Sequence, residues 1–273
     1  MDRKATARET LAIIERGYYE SNGTRVDIRK QQEDSLKGSF LVTPAQGEEL
    51  LAAYEQAAAF REEETKPAVW NGSTVDAILR LAEEGKDPAV LNFASAKNPG
   101  GGFINGAMAQ EESLAASGCL YETQLAHEEY YVNNRACKSM MYTDHAIYSR
   151  DVVFFRDGSF RLLAHPVTAS VLTLPAVNMG QVKRKGEDVK AAEAVMRRRM
   201  MLSLAIFAKQ GCAHLILGAY GCGVFQNDPD QIARWWKELL TEDFQGAFRS
   251  VLFAVLDRSA AGKCIGAFQK YFG

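Results

Sequence analysis

Residues 89–112 read AVLNFASAKNPGGGFINGAMAQEE. The opening run 89–93 is too uniformly apolar for a strand with one wet face, so it predicts a strand buried on both faces of a sheet. Three successive glycines, Gly100, Gly101 and Gly102, lie in the loop that follows. Glu111 and Glu112 then open a helical stretch that the pattern carries to residue 125. Strand, glycine-rich loop and helix in that order form the repeating unit of an α/β protein.

Working outward, similar apolar runs at 68–70, 152–155, 169–174, 214–217 and 250–256 read as further strands. Helical patterns at 74–84, 187–209, 229–240 and 263–271 separate many of them. This alternation predicts an α/β sandwich with helices on both faces of the sheet. Before residue 67 the pattern differs: a helix over 6–16, two short strands around the turn Ser21-Asn22-Gly23, a short strand at 40–44 and a helix over 48–64. Residues 1–66 are therefore read as an accessory extension packed on a catalytic core formed by residues 67–273.

A length of 273 residues with 47% hydrophobic composition suffices for a sizeable core. The 32 Lys+Arg nearly balance the 34 Asp+Glu, for a net charge of -2, so no global field draws the chain to DNA. Any polyanion must be held by local geometry. No run approaches the roughly 20 apolar residues of a membrane span, and the polar start MDRKATARET lacks a secretory signal, so a cytoplasmic location away from membranes is expected. The five cysteines form no CxxC pair or Cys/His cluster, which indicates neither a disulfide framework nor a metal site.

Ligands of α/β sheets bind beyond the carboxyl ends of strands, which directs attention to two loops. The first is the glycine loop just quoted, whose backbone N–H groups are free to approach a diphosphate; the competing reading is a plain flexible turn. The second follows the strand at 214–217 and reads GAYGCGVFQNDP, Gly218 to Pro229. Gly221 and Gly223 open its backbone, while Asp228, Pro229 and Gln231 predict a capping box at a helix start. Neither loop fits a dinucleotide fingerprint, since the third glycine of GxGxxG falls at Asn105 or at Gln226. Gly101 to Gly106 has P-loop spacing, but Ala107 stands where lysine is needed.

Paired carboxylates beside such a loop suggest acid/base chemistry. They are also favoured in any first helical turn by its positive end, which stabilises the ionised form. A general acid must instead keep its proton near neutral pH, which burial and a neighbouring negative charge promote. Sequence leaves the sign of that competition open.

The spacing GGG, seven residues, QEE, from Gly100 through Gln110, Glu111 and Glu112, resembles the signature of poly(ADP-ribose) glycohydrolases on a macrodomain fold. YGCGVF, Tyr220 to Phe225, is similar to that family's diphosphate loop. The resemblance spans about residues 70–256, and the modest N-terminal extension looks like the bacterial-type branch. It implies a macrodomain-like three-layer α/β/α sandwich with a mixed central sheet. It also implies that Glu112 protonates the leaving ribose oxygen and then activates water, that Glu111 holds hydroxyls of the reacting ribose, and that Gln110 orients the pair. Gly100, Gly101 and Gly102 with Gly221, Cys222 and Gly223 would wrap the diphosphate, and Val224 and Phe225 would cover the sugar. Core packing is the other reading for Phe225. Ser95 and Asn98 lie where the wider macrodomain pattern often has a ribose-binding asparagine, although the spacing from Asn92 to Gly100 departs from the short form.

Adjacent carboxylates cannot sit on opposite faces of a sugar, so one principal catalyst with an orienting neighbour is expected, without cofactor or metal. The partners implied are poly(ADP-ribose), ADP-ribose and ADP-ribosylated proteins, met by a monomer that cuts mainly from chain ends. An ADP-ribose reader and a hydrolase of single ADP-ribose groups on protein or nucleic acid stay open. The four histidines read as structural. The basic runs 183–185 and 197–199 read as solvated faces rather than polymer contacts, and Trp236 reads as core.

Overall fold

The computed structural model describes residues 2–57 and 65–273. In chain order the elements are α1 (Arg3–Arg16), β1 (Tyr18–Ser21), β2 (Thr24–Asp27), α2 (Arg29–Lys37), β3 (Phe40–Val42), α3 (Pro44–Ala57), β4 (Lys66–Trp70), α4 (Thr74–Glu83) and β5 (Pro88–Phe93). There follow α5 (Gln110–Ser117), α6 (Leu120–Leu125), α7 (Glu128–Ala136), β6 (Ala146–Arg156), β7 (Leu162–Leu174), α8 (Met179–Lys185), α9 (Val189–Lys209), β8 (His214–Leu217), α10 (Pro229–Thr241), β9 (Ser250–Ala254) and α11 (Lys263–Phe272).

Seven strands form one sheet in the order β3-β6-β7-β5-β8-β9-β4. The five from β7 to β4 run parallel, and β3 and β6 join antiparallel at one edge, giving a mixed sheet. Side chains alternate between its faces. On β5, Ala89 and Leu91 enter one core and Val90 the other; on β8, Leu215 and Leu217 oppose Ile216; on β9, Val251 and Phe253 oppose Leu252. The first core is closed by Met196 and Met200 of α9, Trp236 of α10 and Phe268 of α11. The second is closed by Ile13 of α1, Ile78 of α4 and Leu114 of α5. Burial on both faces explains why these strands read as unbroken apolar runs.

Several boundaries differ from the sequence reading. β6 and β7 are a long hairpin whose polar residues, such as Arg150, Asp151 and His165, hid its extent. The helix expected over 111–125 is two: Gly118 is extended and bridges Phe154, and the Cys119 N–H donates to Val153 O at 2.9 Å. A Cβ at Gly118 would strike Val153 O, so the close approach to β6 needs glycine there. The helices α2, α7 and α8 are too polar for apolar periodicity to reveal them. The helix expected over 48–64 begins at Pro44, and residues 58–64 lie outside the described residues. Within the N-terminal extension, α1 packs on the second core, whereas β3 is the edge strand of the main sheet.

Asp228 caps α10 by accepting from the Asp230 N–H at 3.3 Å, without the reciprocal bond expected from Gln231. The run 197–199 is not a solvated face. Arg197 faces Glu238 and Asp243; Arg198 pairs with Glu48 and Asp144; buried Arg199 donates to Asp144 and to the carbonyls of Met141 and Pro175. These arginines tie loops together. Trp236 is buried, its Nε1 donating to Gly218 O at 3.2 Å.

Candidate active site

The parallel strands β5, β7 and β8 end side by side, which brings the two glycine loops together. The ring of Phe93, at the end of β5, lies 5.5 Å from that of Tyr220 in the loop after β8. The Tyr220 hydroxyl donates to Leu174 O at the end of β7, as does the Ala94 N–H.

Helix α5 points its N-terminus into this edge. Pairing of β5 with β8 stops at Val90, and beyond it the side chain of Gln110 supplies the missing partner. Its Oε1 accepts from the Phe93 N–H and its Nε2 donates to Leu91 O, both at 2.9 Å. Gln110 thereby fixes the first turn of α5 to the strand, and with it the two carboxylates that follow.

Glu111 is 3% exposed. Its Oε2 accepts from the Ser95 N–H at 2.7 Å; its Oε1 accepts from Asn92 Nδ2 at 3.1 Å and Gln124 Nε2 at 2.9 Å. Asn92 and Gln124 also reach the Thr173 hydroxyl, and Gln124 Oε1 accepts from the Gly100 N–H at 2.8 Å. One amide thus joins the carboxylate to the glycine loop. Burial pushes the Glu111 carboxyl up to about 7, against the lowering effect of its three donors and with a smaller push from the charge of Glu112.

Glu112, half-buried, accepts on Oε1 from the Gly102 N–H at 3.0 Å. Gly101 has a φ of +59°, and a Cβ there would fall on Glu112 Oε1 and crowd Glu111 Oε2. The loop backbone and the carboxylates share a space that only glycine leaves open. Behind Glu112 a narrow crevice is lined by Arg3 and Thr6 of α1, Met108 and Phe160.

In the second loop Gly221 takes a φ of +72°, and buried Asn227 holds the turn through bonds from Nδ2 to Val177 O and Gly221 O. A Cβ on Gly223 would meet nothing within 4 Å, and Val224 is 83% exposed. The half-buried ring of Phe225 lies 6.1 Å from that of Tyr142.

Gly100 to Gly102, Gln110, Glu111, Glu112 and the Gly221 to Phe225 loop thus meet at one edge of the sheet. Ser95 meets Glu111 through its backbone N–H, and among the described hydrogen bonds neither its side chain nor that of Asn98 reaches a carboxylate. Ser95 Oγ accepts from the N–H groups of Lys97 and Asn98 in its own turn, and exposed Asn98 contributes its carbonyl to the Gly101 N–H. Asn92, Thr173 and Gln124 were missed as supports of Glu111. For Asn92 the available signal was a polar residue inside a strand otherwise apolar on both faces.

A family model described as microbial-type PARG, catalytic domain, matches residues 7–157, more than half of the chain. The chain is similar to poly(ADP-ribose) glycohydrolase from Thermomonospora curvata, with 38% identity, 99% of each chain covered and a TM-score of 0.93. The same enzyme bound to the inhibitor ADP-HPD matches at 38% identity, 98% of each chain and a TM-score of 0.91. Poly(ADP-ribose) glycohydrolase from Deinococcus radiodurans in complex with ADP-ribose matches at 42% identity over 88% of this chain and 96% of that one, with a TM-score of 0.83. A comparison with curated proteins found no match. A shared fold along the whole length, at this identity, together with the family match shows that the chain belongs to the microbial-type poly(ADP-ribose) glycohydrolase family.

Proposed function

We propose that the chain hydrolyses the ribose–ribose O-glycosidic bonds of poly(ADP-ribose), mainly from chain ends, and releases ADP-ribose. Its family and its similarity to enzymes solved with ADP-ribose and ADP-HPD support the substrate class. The observation that carries the residue assignment is the pair of carboxylates at the start of α5, one buried and fixed by three donors, the other against the glycine loop.

Glu112 acts as the acid/base catalyst. It gives a proton to the departing ribose oxygen as the bond from that oxygen to the anomeric carbon breaks; water then adds to the anomeric carbon and returns a proton to Glu112. Glu111, titrating near neutrality, accepts from or donates to hydroxyls of the reacting ribose. Gln110 is a positioning residue. The turns of Gly100, Gly101 and Gly102 and of Gly221, Cys222 and Gly223 enclose the diphosphate. It is held by the backbone N–H groups of Gly221 and Gly223, those of the other four being engaged within the protein, and its negative charge favours the oxocarbenium-like state. Val224 and Phe225 cover the sugar, and Ser95 and Asn98 shape the turn beside it. ADP-ribosylated proteins are the macromolecular partners, met by a monomer, with residues 1–66 serving as an accessory extension that lends the edge strand β3 to the sheet of the core of residues 67–273.

The test uses wild type and Glu112→Gln with automodified polymer and with a mono-ADP-ribosylated protein, quantifying free ADP-ribose. The variant should lose about 10²–10⁴-fold in rate while still binding ADP-ribose, with the protein-linked unit left uncleaved by wild type. Binding without release by wild type would make the chain a reader. Release from the mono-modified protein at the polymer rate would make it an eraser of single groups.

A further inference from the structure

Of the five cysteines, two on different elements touch. The thiol of Cys222, in the middle of the proposed diphosphate loop, donates to Tyr220 O at 3.7 Å, and its sulfur lies beside that of Cys264 in the first turn of α11. Both line one open cavity of about 610 Å³, together with Lys183, Asp257, Ser259 and Lys263, so a small solute reaches them. Cys119 is buried, and Cys212 has the Tyr148 hydroxyl as its neighbour.

The two sulfurs are not equivalent. The neighbouring Cys222 holds the Cys264 thiol below its ordinary range, against burial and the charge of Asp257, whereas the neighbouring Cys264 and burial push Cys222 up. Cys264 is thus the better nucleophile and Cys222 the resolving thiol. Their backbones differ as well. α11 is anchored by Phe268 in the core, by the Cys264 and Ile265 N–H groups on Asp257 Oδ2, and by Lys270 and Tyr271 on Asp230 of α10. The loop carries glycines on both sides of Cys222 and, among the described residues, the most exposed large apolar side chain, Val224. Any bond between the sulfurs therefore moves the loop toward the helix.

We propose that Cys222 and Cys264 form a peroxide-oxidisable dithiol site whose closure to a disulfide pins the diphosphate loop against α11 and slows turnover. The thiolate of Cys264 attacks hydrogen peroxide, taking one oxygen as a sulfenic acid while the other leaves as hydroxide and is protonated to water. Cys222 then attacks that sulfur, forming the S–S bond and expelling a second water; each cysteine sulfur gives up one electron to the peroxide. The S–S bond, about 2 Å long, is shorter than any hydrogen-bonded sulfur pair, so the N–H groups around Cys222 leave their reduced-state positions. The effect on turnover rests on the function proposed above; the formation of the bond does not.

The full chain is treated with hydrogen peroxide, alkylated, digested without reduction and mapped by mass spectrometry. ADP-ribose release from polymer and ADP-ribose affinity are measured before and after, with and without dithiothreitol. A cross-linked peptide pair joining Cys222 and Cys264, two hydrogens lighter than its parts, is expected. With it kcat/KM should fall about tenfold, as an ångström-scale misplacement costs up to about 10²-fold, and dithiothreitol should restore it. Cys264→Ser should keep the starting rate, give no cross-link and resist peroxide. The proposal is overturned if no such pair forms, if it forms with rate and affinity unchanged, or if Cys264→Ser is inactivated as fast as wild type. Reduced wild type that never releases ADP-ribose would sink the hydrolase reading instead, and the cross-link and affinity measurements would still decide the dithiol site.

Discussion

Replacing Glu111 by glutamine removes a buried group that takes up a proton on folding, and the consequence is a change in how stability depends on pH. The carboxyl stands at about 7 in the folded chain against 4.5 when exposed. Because the folded value is the higher one, the stabilisation is fully present below the unfolded value and is lost as pH rises through the folded value. The difference of 2.5 units (7 minus 4.5), at about 1.36 kcal/mol per unit, amounts to about 3 kcal/mol. Glu111 is 3% exposed, so solvent screening does not reduce this figure much. Urea denaturation of wild type and Glu111→Gln is measured from about pH 4.5 to 8.5, and the wild-type value minus the variant value is plotted, which cancels the other titrating groups. That difference should fall by about 3 kcal/mol with rising pH and level off above pH 7. A flat difference, or one that grows with pH, would refute the placement of Glu111 as a buried carboxyl with a raised pKa.

Gly101→Ala puts a methyl group on Glu112 Oε1 at a left-handed backbone position, so the protein should fold, with a loss of about 1–2 kcal/mol, while ADP-ribose release falls at least about 10²-fold in a steady-state assay. Gln124→Leu strips a donor from Glu111 and an acceptor from the Gly100 N–H. It should cost about 3–5 kcal/mol in denaturant titrations near neutral pH, and less at acid pH, where Glu111 is protonated. Arg156→Met breaks the link from β6 to Glu9 and Thr10 of α1 and leaves Phe160 O unpaired. Thermal unfolding should show a loss of about 2–4 kcal/mol, and hydrogen exchange should show α1 opening first.

The residues proposed to set the chemistry stood out along the chain because backbone freedom and charge are local properties. Three glycines, a fixed gap and QEE mark a loop of unusual backbone freedom and the helix that follows it, whatever the rest of the chain does. The sheet was legible for a similar reason: strands buried on both faces leave unbroken apolar runs such as that of β5. Elements whose burial is one-sided or slight, α2, α7 and the outer ends of β6 and β7, left no such trace. Tertiary structure alone decided which of two adjacent glutamates is buried, since Asn92, Gln124 and Thr173 come from a strand, a helix and another strand and meet only once the sheet is assembled. It also broke the helix after Gly118 and set Cys222 against Cys264, two residues 42 positions apart (264 minus 222). A carboxyl's proton affinity and a thiol's partner depend on what surrounds them in space, and sequence order does not carry that information.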